Sequence, residues 1–157
     1  MINHKRRVLL KGTFAAGATG IAISAGLLTP KTVLAAWPKA AFEATTPQAA
    51  LDASFGSSAT TESSDIKLKA PDIAENGAVV PVTITSGIAK TEAISIIVAG
   101  NGTPLAATFI LGSTTKGFVS TRIKMGKTSD VTAVVKAGGK LYSTSKNVKV
   151  TIGGCGG

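Results

Sequence analysis

The feature that most constrains the fold is a two-residue alternation of apolar and polar side chains, which begins at Ile66 and recurs to the end of the chain. Side chains of a β-strand point alternately to opposite faces, so this period predicts strands that bury one face. Turn-forming residues, mostly glycine and asparagine, separate the segments from one another. The alternation predicts strands over residues 66–69, 80–85, 119–125 and 148–152, and the content of β-branched residues predicts strands over 93–99, 105–111 and 131–137.

Seven short strands with no helical period between them predict an all-β fold, an immunoglobulin-like antiparallel β-sandwich. Before the strands, Thr46 and Pro47 suit the N-cap and the first turn of a helix, so we expect one short helix over residues 47–53. Residues 94–98 are apolar on nearly both faces of their strand. They form either a central strand of the sandwich or an outer sheet face that docks a partner.

The counts of rare residues exclude most catalytic chemistry. The 157 residues include one histidine, His4, and one cysteine, Cys155. A Ser-His-Asp or Cys-His arrangement needs a histidine base, and a structural zinc site needs several cysteine or histidine ligands. We therefore expect no catalytic residue, no metal site and no cofactor in this chain.

Residues 1–36 have the pattern of an export signal. Arg6 and Arg7 precede an uncharged stretch over residues 12–30, and small residues follow at a plausible cleavage site. The arginine pair, Leu10 and Lys11 match the twin-arginine motif, whereas Lys5 and Leu9 depart from it, and the match predicts export to the periplasm. The alternative is an uncleaved membrane anchor, although the glycines and hydroxyls of the stretch make it a poor span.

The net charge of +9 depends strongly on this segment. Five of the 17 basic residues lie within residues 1–36. The rest of the chain therefore has 12 basic and 8 acidic residues, which gives it a net charge of +4. No basic stretch is interleaved with aromatic residues in the way that nucleic-acid binding requires. We expect no nucleic-acid partner, and no membrane association once the signal is removed.

The C-terminus carries the residue that we expect to be functional. Cys155 has two glycines on each side, which are Gly153, Gly154, Gly156 and Gly157. Glycines add no side-chain bulk and little backbone restriction, so these residues predict a flexible arm that extends the thiol about 10 Å from the last strand. No base in the nearby sequence would activate the thiol, so another protein is expected to do so. The alternative is a glycine-rich end with an incidental cysteine.

This terminus, residues 71–84 and the twin-arginine leader resemble the SoxY family, the sulfur-carrier subunits of the bacterial Sox thiosulfate-oxidising system. The resemblance implies a covalent substrate carrier that is not itself an enzyme and that forms a heterodimer with a SoxZ-like subunit. Cys155 would hold sulfur as S-thiosulfonate and persulfide adducts. The implied enzyme partners are a SoxXA-like haem enzyme that attaches thiosulfate, a SoxB-like manganese hydrolase that releases sulfate and, in some organisms, a sulfane dehydrogenase.

These assignments divide the chain into a signal peptide over residues 1–36, a helix and linker over 37–64, a sandwich over 65–152 and an arm over 153–157. Two other functions remain as alternatives. An exported binding or adhesion module suits a β-sandwich but leaves the terminal motif unexplained. A thiol redox enzyme is weaker, because a lone cysteine without a resolving thiol or a base would react slowly.

Overall fold

The computed structural model describes residues 38–151. The predicted signal peptide and the predicted arm with Cys155 lie outside this range, so both stay predictions. The described residues form two helices and nine strands: α1 (Lys39–Glu43), α2 (Pro47–Phe55), β1 (Thr61–Glu62), β2 (Ile66–Lys69), β3 (Ile73–Ala74), β4 (Val80–Ser86), β5 (Thr91–Val98), β6 (Leu105–Ile110), β7 (Phe118–Ile123), β8 (Ser129–Ala137) and β9 (Lys140–Val150).

The strands form two sheets that face each other across a common core. The larger sheet has the order β1-β9-β8-β5-β6, with β3 also paired to β9, and the smaller sheet has the order β2-β4-β7. Neighbouring strands are antiparallel, except that β1 and β3 run parallel to β9. The predicted all-β sandwich is therefore confirmed.

The core between the sheets follows from the two-residue alternation. On β4, Val80, Val82 and Ile84 are at most 1% exposed, whereas Pro81 and Thr85, which alternate with them along the strand, are exposed. The opposing sheet contributes inward-facing side chains from β5, β8 and β9 to the same cluster. Burying side chains of this size contributes about 1.5–3 kcal/mol each, which makes the inward faces the main source of stability.

Strand β5 is buried on both of its faces. Ile94 and Ile96 belong to the core between the sheets. Ile97 points to the opposite side, where it is 2% exposed and packs in a second cluster that α1 and α2 help to form. That cluster comprises Ala41, Ala50, Leu51, Ile97, Leu105, Val134 and Leu141. Residues 94–98 therefore form a central strand that this chain's own helices cover, and the alternative of an outer face open to a partner is wrong.

Helix α2 begins where the sequence predicts. The Thr46 hydroxyl oxygen accepts a hydrogen bond from the Ala49 N–H at 3.2 Å, Pro47 occupies the first turn, and Gly56 ends the helix with a φ of 77°. The helix extends to Phe55, two residues beyond the prediction. Helix α1 and the short strands β1 and β3 were not predicted. Strand β1 lies in a stretch of linker composition.

Strand β9 is much longer than the predicted residues 148–152. It pairs with β8 from Lys140 to Val148 through a two-residue turn, in which Gly138 and Gly139 have φ values of 56° and 73°. Glycine adopts such left-handed conformations without steric cost, so this turn is one of the glycine-containing turns that end the predicted strands, here the strand over residues 131–137. None of the helices within residues 38–151 is long and apolar enough to cross a membrane.

Candidate functional site

The end of β9 is the point from which the chain continues toward Cys155, and it is held on both sides. On one side, the Val150 N–H donates to the Thr128 hydroxyl at 2.9 Å. On the other side, Val150 lies opposite Ala74 of β3, and the Thr151 N–H donates to the Ala74 carbonyl at 3.1 Å. The backbone is therefore fixed up to Thr151, four residues before Cys155.

A close backbone approach at Gly77 supports the same strand end. The Met125 N–H donates to the Gly77 carbonyl at 2.7 Å. A Cβ atom on Gly77 would overlap the Met125 carbonyl oxygen and would lie 2.9 Å from Val150 Cγ1. Only glycine fits here, so the β3–β4 loop, the β7–β8 loop and the end of β9 pack directly against one another.

Lys146 connects the middle of β9 to the segment between β2 and β3. Its ammonium group donates to the Ala70 carbonyl at 2.6 Å and lies 2.9 Å from Asp72 Oδ1. The Asp72 side chain is 89% exposed, so solvent screening limits the value of this ion pair. Its structural effect is to hold the crossover between the two sheets against β9.

The β5–β6 loop also lies at this end of the sandwich and forms an open groove of about 530 Å³ with the β7–β8 loop. The groove is lined by Gly100, Asn101, Gly102, Thr103, Lys124, Gly126 and Lys127. It lies at the same end as Thr151, because Val98 pairs with Val131 near the start of β8 and Ser129 pairs with Val148 near the end of β9. The two lysines place positive charge beside the end of β9.

A sequence model of the SoxY family, described as sulfur oxidation protein SoxY, matches residues 51–155. The match spans more than half of the chain, and its last residue is Cys155. The chain belongs to the SoxY family. This finding confirms the resemblance that the C-terminal motif and residues 71–84 indicated.

A solved structure supports the assignment to the SoxY family. It is that of the sulfur carrier protein SoxY from Chlorobium limicola f thiosulfatophilum, which is 48% identical to this chain with a TM-score of 0.60. The similarity covers 66% of this chain and 94% of the Chlorobium chain. A comparison with curated protein sequences finds no match.

The site residues predicted from the sequence all fall outside the described range. Cys155, its four flanking glycines (Gly153, Gly154, Gly156 and Gly157) and the arginine pair Arg6 and Arg7 lie beyond residues 38–151. What the structure adds is the surroundings of the strand end that precedes Cys155. Within the described range, no three His, Cys, Asp or Glu side chains come together as potential metal ligands.

Sequence reasoning missed the residues that surround this strand end. Asn101 and Lys127 fall in the turns between predicted strands, and Lys124 occupies a polar position of the predicted strand over residues 119–125. Thr128 and Gly77 contact Val150 from positions 22 and 73 residues away along the chain. No local pattern carries this information, although the glycine and asparagine content of the loops marks them as turns.

Proposed function

We propose that this member of the SoxY family is a periplasmic sulfur carrier in thiosulfate oxidation, in which the Cys155 thiol covalently holds the sulfur intermediates. The observation that carries this proposal is the family match, which extends to Cys155 itself. The Chlorobium relative, described as a sulfur carrier protein, supports the same function. The four glycines beside the cysteine are suited to an arm that enters the sites of other proteins.

The proposed chemistry uses the thiolate as an attachment point. Thiosulfate joins the thiolate through a new S–S bond to give a cysteine S-thiosulfonate, and two electrons pass to a SoxXA-like haem enzyme. Water then cleaves the terminal S–S bond in a SoxB-like manganese hydrolase, which releases sulfate and two protons and leaves a persulfide on Cys155. A sulfane dehydrogenase would oxidise that persulfide in some organisms. The carrier itself is a substrate of these enzymes and is not a catalyst.

The position of the strand end supports this role. Since the backbone is held up to Thr151, Cys155 can lie at most about 14 Å from that residue, at 3.3–3.6 Å per residue. The thiol can therefore project beyond the loops of the sandwich without any change in the fold. A SoxZ-like subunit would complete the carrier as a heterodimer.

A cysteine replacement with two readouts tests the proposal. In a reconstituted thiosulfate-oxidising system, Cys155→Ser should abolish thiosulfate-dependent turnover, while its unfolding free energy stays equal to that of the unaltered chain. Intact-mass analysis after exposure to thiosulfate and the partner enzymes should show sulfur adducts confined to the C-terminal peptide. Full turnover by Cys155→Ser, or a thiol that always remains free under these conditions, contradicts the carrier function and favours a binding module.

The proposed export is tested separately. Replacing Arg6 and Arg7 by Lys should leave the precursor in the cytoplasm, because the twin-arginine signal is recognised through its arginine pair. Cell fractionation and the mass of the N-terminus measure this outcome. A processed periplasmic protein in spite of both replacements would contradict the twin-arginine route but would leave the carrier chemistry intact.

A further inference from the structure

We propose that the groove beside the end of β9 is an anion subsite, which binds the sulfonate of the S-thiosulfonate formed on Cys155. The inference rests on the proposed function. It adds a binding site on this chain for the charged intermediate. Of the residues that line the groove, Lys124 and Lys127 are charged and both are positive. A sulfonate with one negative charge and three acceptor oxygens matches this lining.

The two lysines are available to a ligand. Neither forms an ion pair within residues 38–151. Three acidic residues lie near the end of β9, namely Asp72, Glu75 and Asp130, and none of them lines the groove. Asp72 pairs with Lys146. Asp130 Oδ1 instead accepts a hydrogen bond from Asn147 at 2.8 Å. The positive charge of the groove is therefore not neutralised by carboxylates in its wall.

The groove is held in shape by one side chain. Asn101 Nδ2 donates to the Lys124 carbonyl at 2.8 Å, and Asn101 Oδ1 accepts from the Gly126 N–H at 2.9 Å. These two bonds fasten the β5–β6 loop to the β7–β8 loop, which carries both lysines. Loops that hydrogen bonds already hold in place lose little conformational freedom when an anion binds between them.

The loops also meet closely at Gly100. A Cβ atom there would lie 2.7 Å from the Ser129 hydroxyl and 3.1 Å from Lys127 Cγ. The Ser129 hydroxyl is buried and has no hydrogen-bond partner in the described part of the chain. A buried polar group without a partner is rare in native proteins, and this one lies next to the cationic groove.

The cysteine is attached close enough to reach the groove. The Thr128 hydroxyl contacts Val150, and Lys127 directly precedes Thr128, so one residue separates the groove from the end of β9. Across the sheet, the end of β5 lies two strands from β9, or roughly 10 Å. Cys155 follows Val150 by five residues, which span up to about 17 Å. A tether this short gives an effective concentration on the order of millimolar, which favours even weak binding.

The subsite distinguishes the two intermediates. The S-thiosulfonate carries three acceptor oxygens on its sulfonate, whereas the persulfide left after sulfate release keeps one negative charge but has none of these oxygens. Affinity for the groove therefore falls at the step that removes sulfate. The groove would hold the adduct between thiosulfate attachment and hydrolysis, and would release the thiol terminus afterwards.

The test forms the adduct without any partner enzyme. Tetrathionate reacts with the thiolate, which attacks an inner sulfur to give the protein S-thiosulfonate and expels thiosulfate, so charge and atoms balance. NMR spectra of ¹⁵N-labelled protein should then show amide shifts at Gly102, Gly126 and Lys127. Protein capped with iodoacetamide, which adds a neutral group at Cys155, should show none of these shifts. Raising the salt to 1 M shortens the Debye length to about 3 Å and should reduce the shifts.

Charge-matched variants test the lysines. Lys124→Gln with Lys127→Gln should lower the bound-to-free ratio by about 1.5- to 5-fold for each lysine, the range for exposed charge pairs. Lys90→Gln with Lys116→Gln removes the same charge from loops outside the groove and should leave the shifts unchanged. Adduct shifts that survive the first pair of replacements, or that the second pair reduces equally, overturn the proposal.

Free anion is the remaining alternative occupant. Thiosulfate added to the capped protein should shift the same amides only at concentrations above the effective concentration that the tether gives the adduct, which is on the order of millimolar. If free thiosulfate shifts them fully while the adduct shifts none, the occupant is the free anion and the tethered subsite is overturned. Because tetrathionate needs only the thiol, this result is independent of the turnover assay that tests the carrier function.

Discussion

The packing of α2 on the outer face of the larger sheet predicts an energetic coupling between Leu51 and Ile97. Leu51 is 7% exposed, Ile97 is 2% exposed, and both lie in the cluster beneath the helices. Truncating a buried leucine or isoleucine to alanine costs about 2–5 kcal/mol, through lost transfer free energy and the cavity that remains. Leu51→Ala should fall at the lower end of this range, because a short surface helix can settle into the space, and Ile97→Ala should fall higher.

The double variant is the informative measurement. Once Ile97 is truncated, Leu51 has already lost part of its contact surface, so the combined loss should differ from the sum by about 0.5–3 kcal/mol. Ile94 provides a matched control, because it has the same side chain on the same strand, is 0% exposed, and belongs to the core on the other face. Leu51→Ala combined with Ile94→Ala should be additive within about 0.5 kcal/mol.

Urea denaturation followed by circular dichroism, under reducing conditions that keep Cys155 free, gives the unfolding free energy of each variant. The comparison holds if the slope of the free energy against urea stays the same among variants. Two results would refute the packing of α2 on the outer face. In the first, the losses of unfolding free energy from Leu51→Ala and Ile97→Ala add up without coupling. In the second, Leu51→Ala couples equally to Ile94→Ala and to Ile97→Ala. The outer face would then be open to a partner after all.

Three smaller predictions concern the loops and caps. Gly77→Ala should lower the unfolding free energy by about 1–3 kcal/mol in urea denaturation, because its Cβ would overlap the Met125 carbonyl and approach Val150. Thr46→Ala should cost about 1 kcal/mol by the same measurement through loss of the bond from the Ala49 N–H, whereas Thr46→Ser should stay close to the unaltered chain. Gly139→Ala should lower the thermal midpoint, because a left-handed φ of 73° costs an alanine about 1–2 kcal/mol, whereas Gly102→Ala, with open space around its Cβ position, should not.

Local patterns predict the parts of the fold that local physics determines. The alternation on β4, the cap at Thr46 and the glycine turn at residues 138–139 each depend on side chains within a few positions of one another. The first eight residues of β9 carry no such pattern, because most of their side chains are polar or half-exposed. Their strand conformation comes from pairing with β8, which brings a whole segment into register once the turn forms.

The burial of β5 shows a second limit of sequence reasoning. A run of apolar residues such as 94–98 indicates burial on both faces but does not identify what covers each face. The covering helices precede β5 by about 40 residues, and α1 has only five residues, too few to give a clear helical period. Only the folded chain shows that Ala50 and Leu51 lie over Ile97.

The candidate site also has one part that local sequence patterns indicate and another part that only the folded chain brings together. The cysteine and its glycines are a prediction that the sequence alone supplies, because a single thiol between paired glycines is rare in composition. The groove could not, because Asn101 meets Lys124 and Gly126 across 23 and 25 residues of chain. Its lysines have no distinguishing neighbours in sequence, and their significance comes only from their position beside the end of β9.

In the proposed function, that position limits how a partner enzyme can act on the Cys155 thiol. Since Cys155 can lie no more than about 14 Å from Thr151, an enzyme that reacts with it must approach the loops around that strand end. The groove with Lys124 and Lys127 lies in those same loops, so enzyme and groove compete for the sulfonate. An enzyme that hydrolyses the adduct must therefore bind the sulfonate more tightly than two exposed lysines do. That requirement is modest, because each exposed charge pair contributes only about 0.2–1 kcal/mol. The groove can therefore retain the intermediate between enzymes without preventing its transfer to the next one.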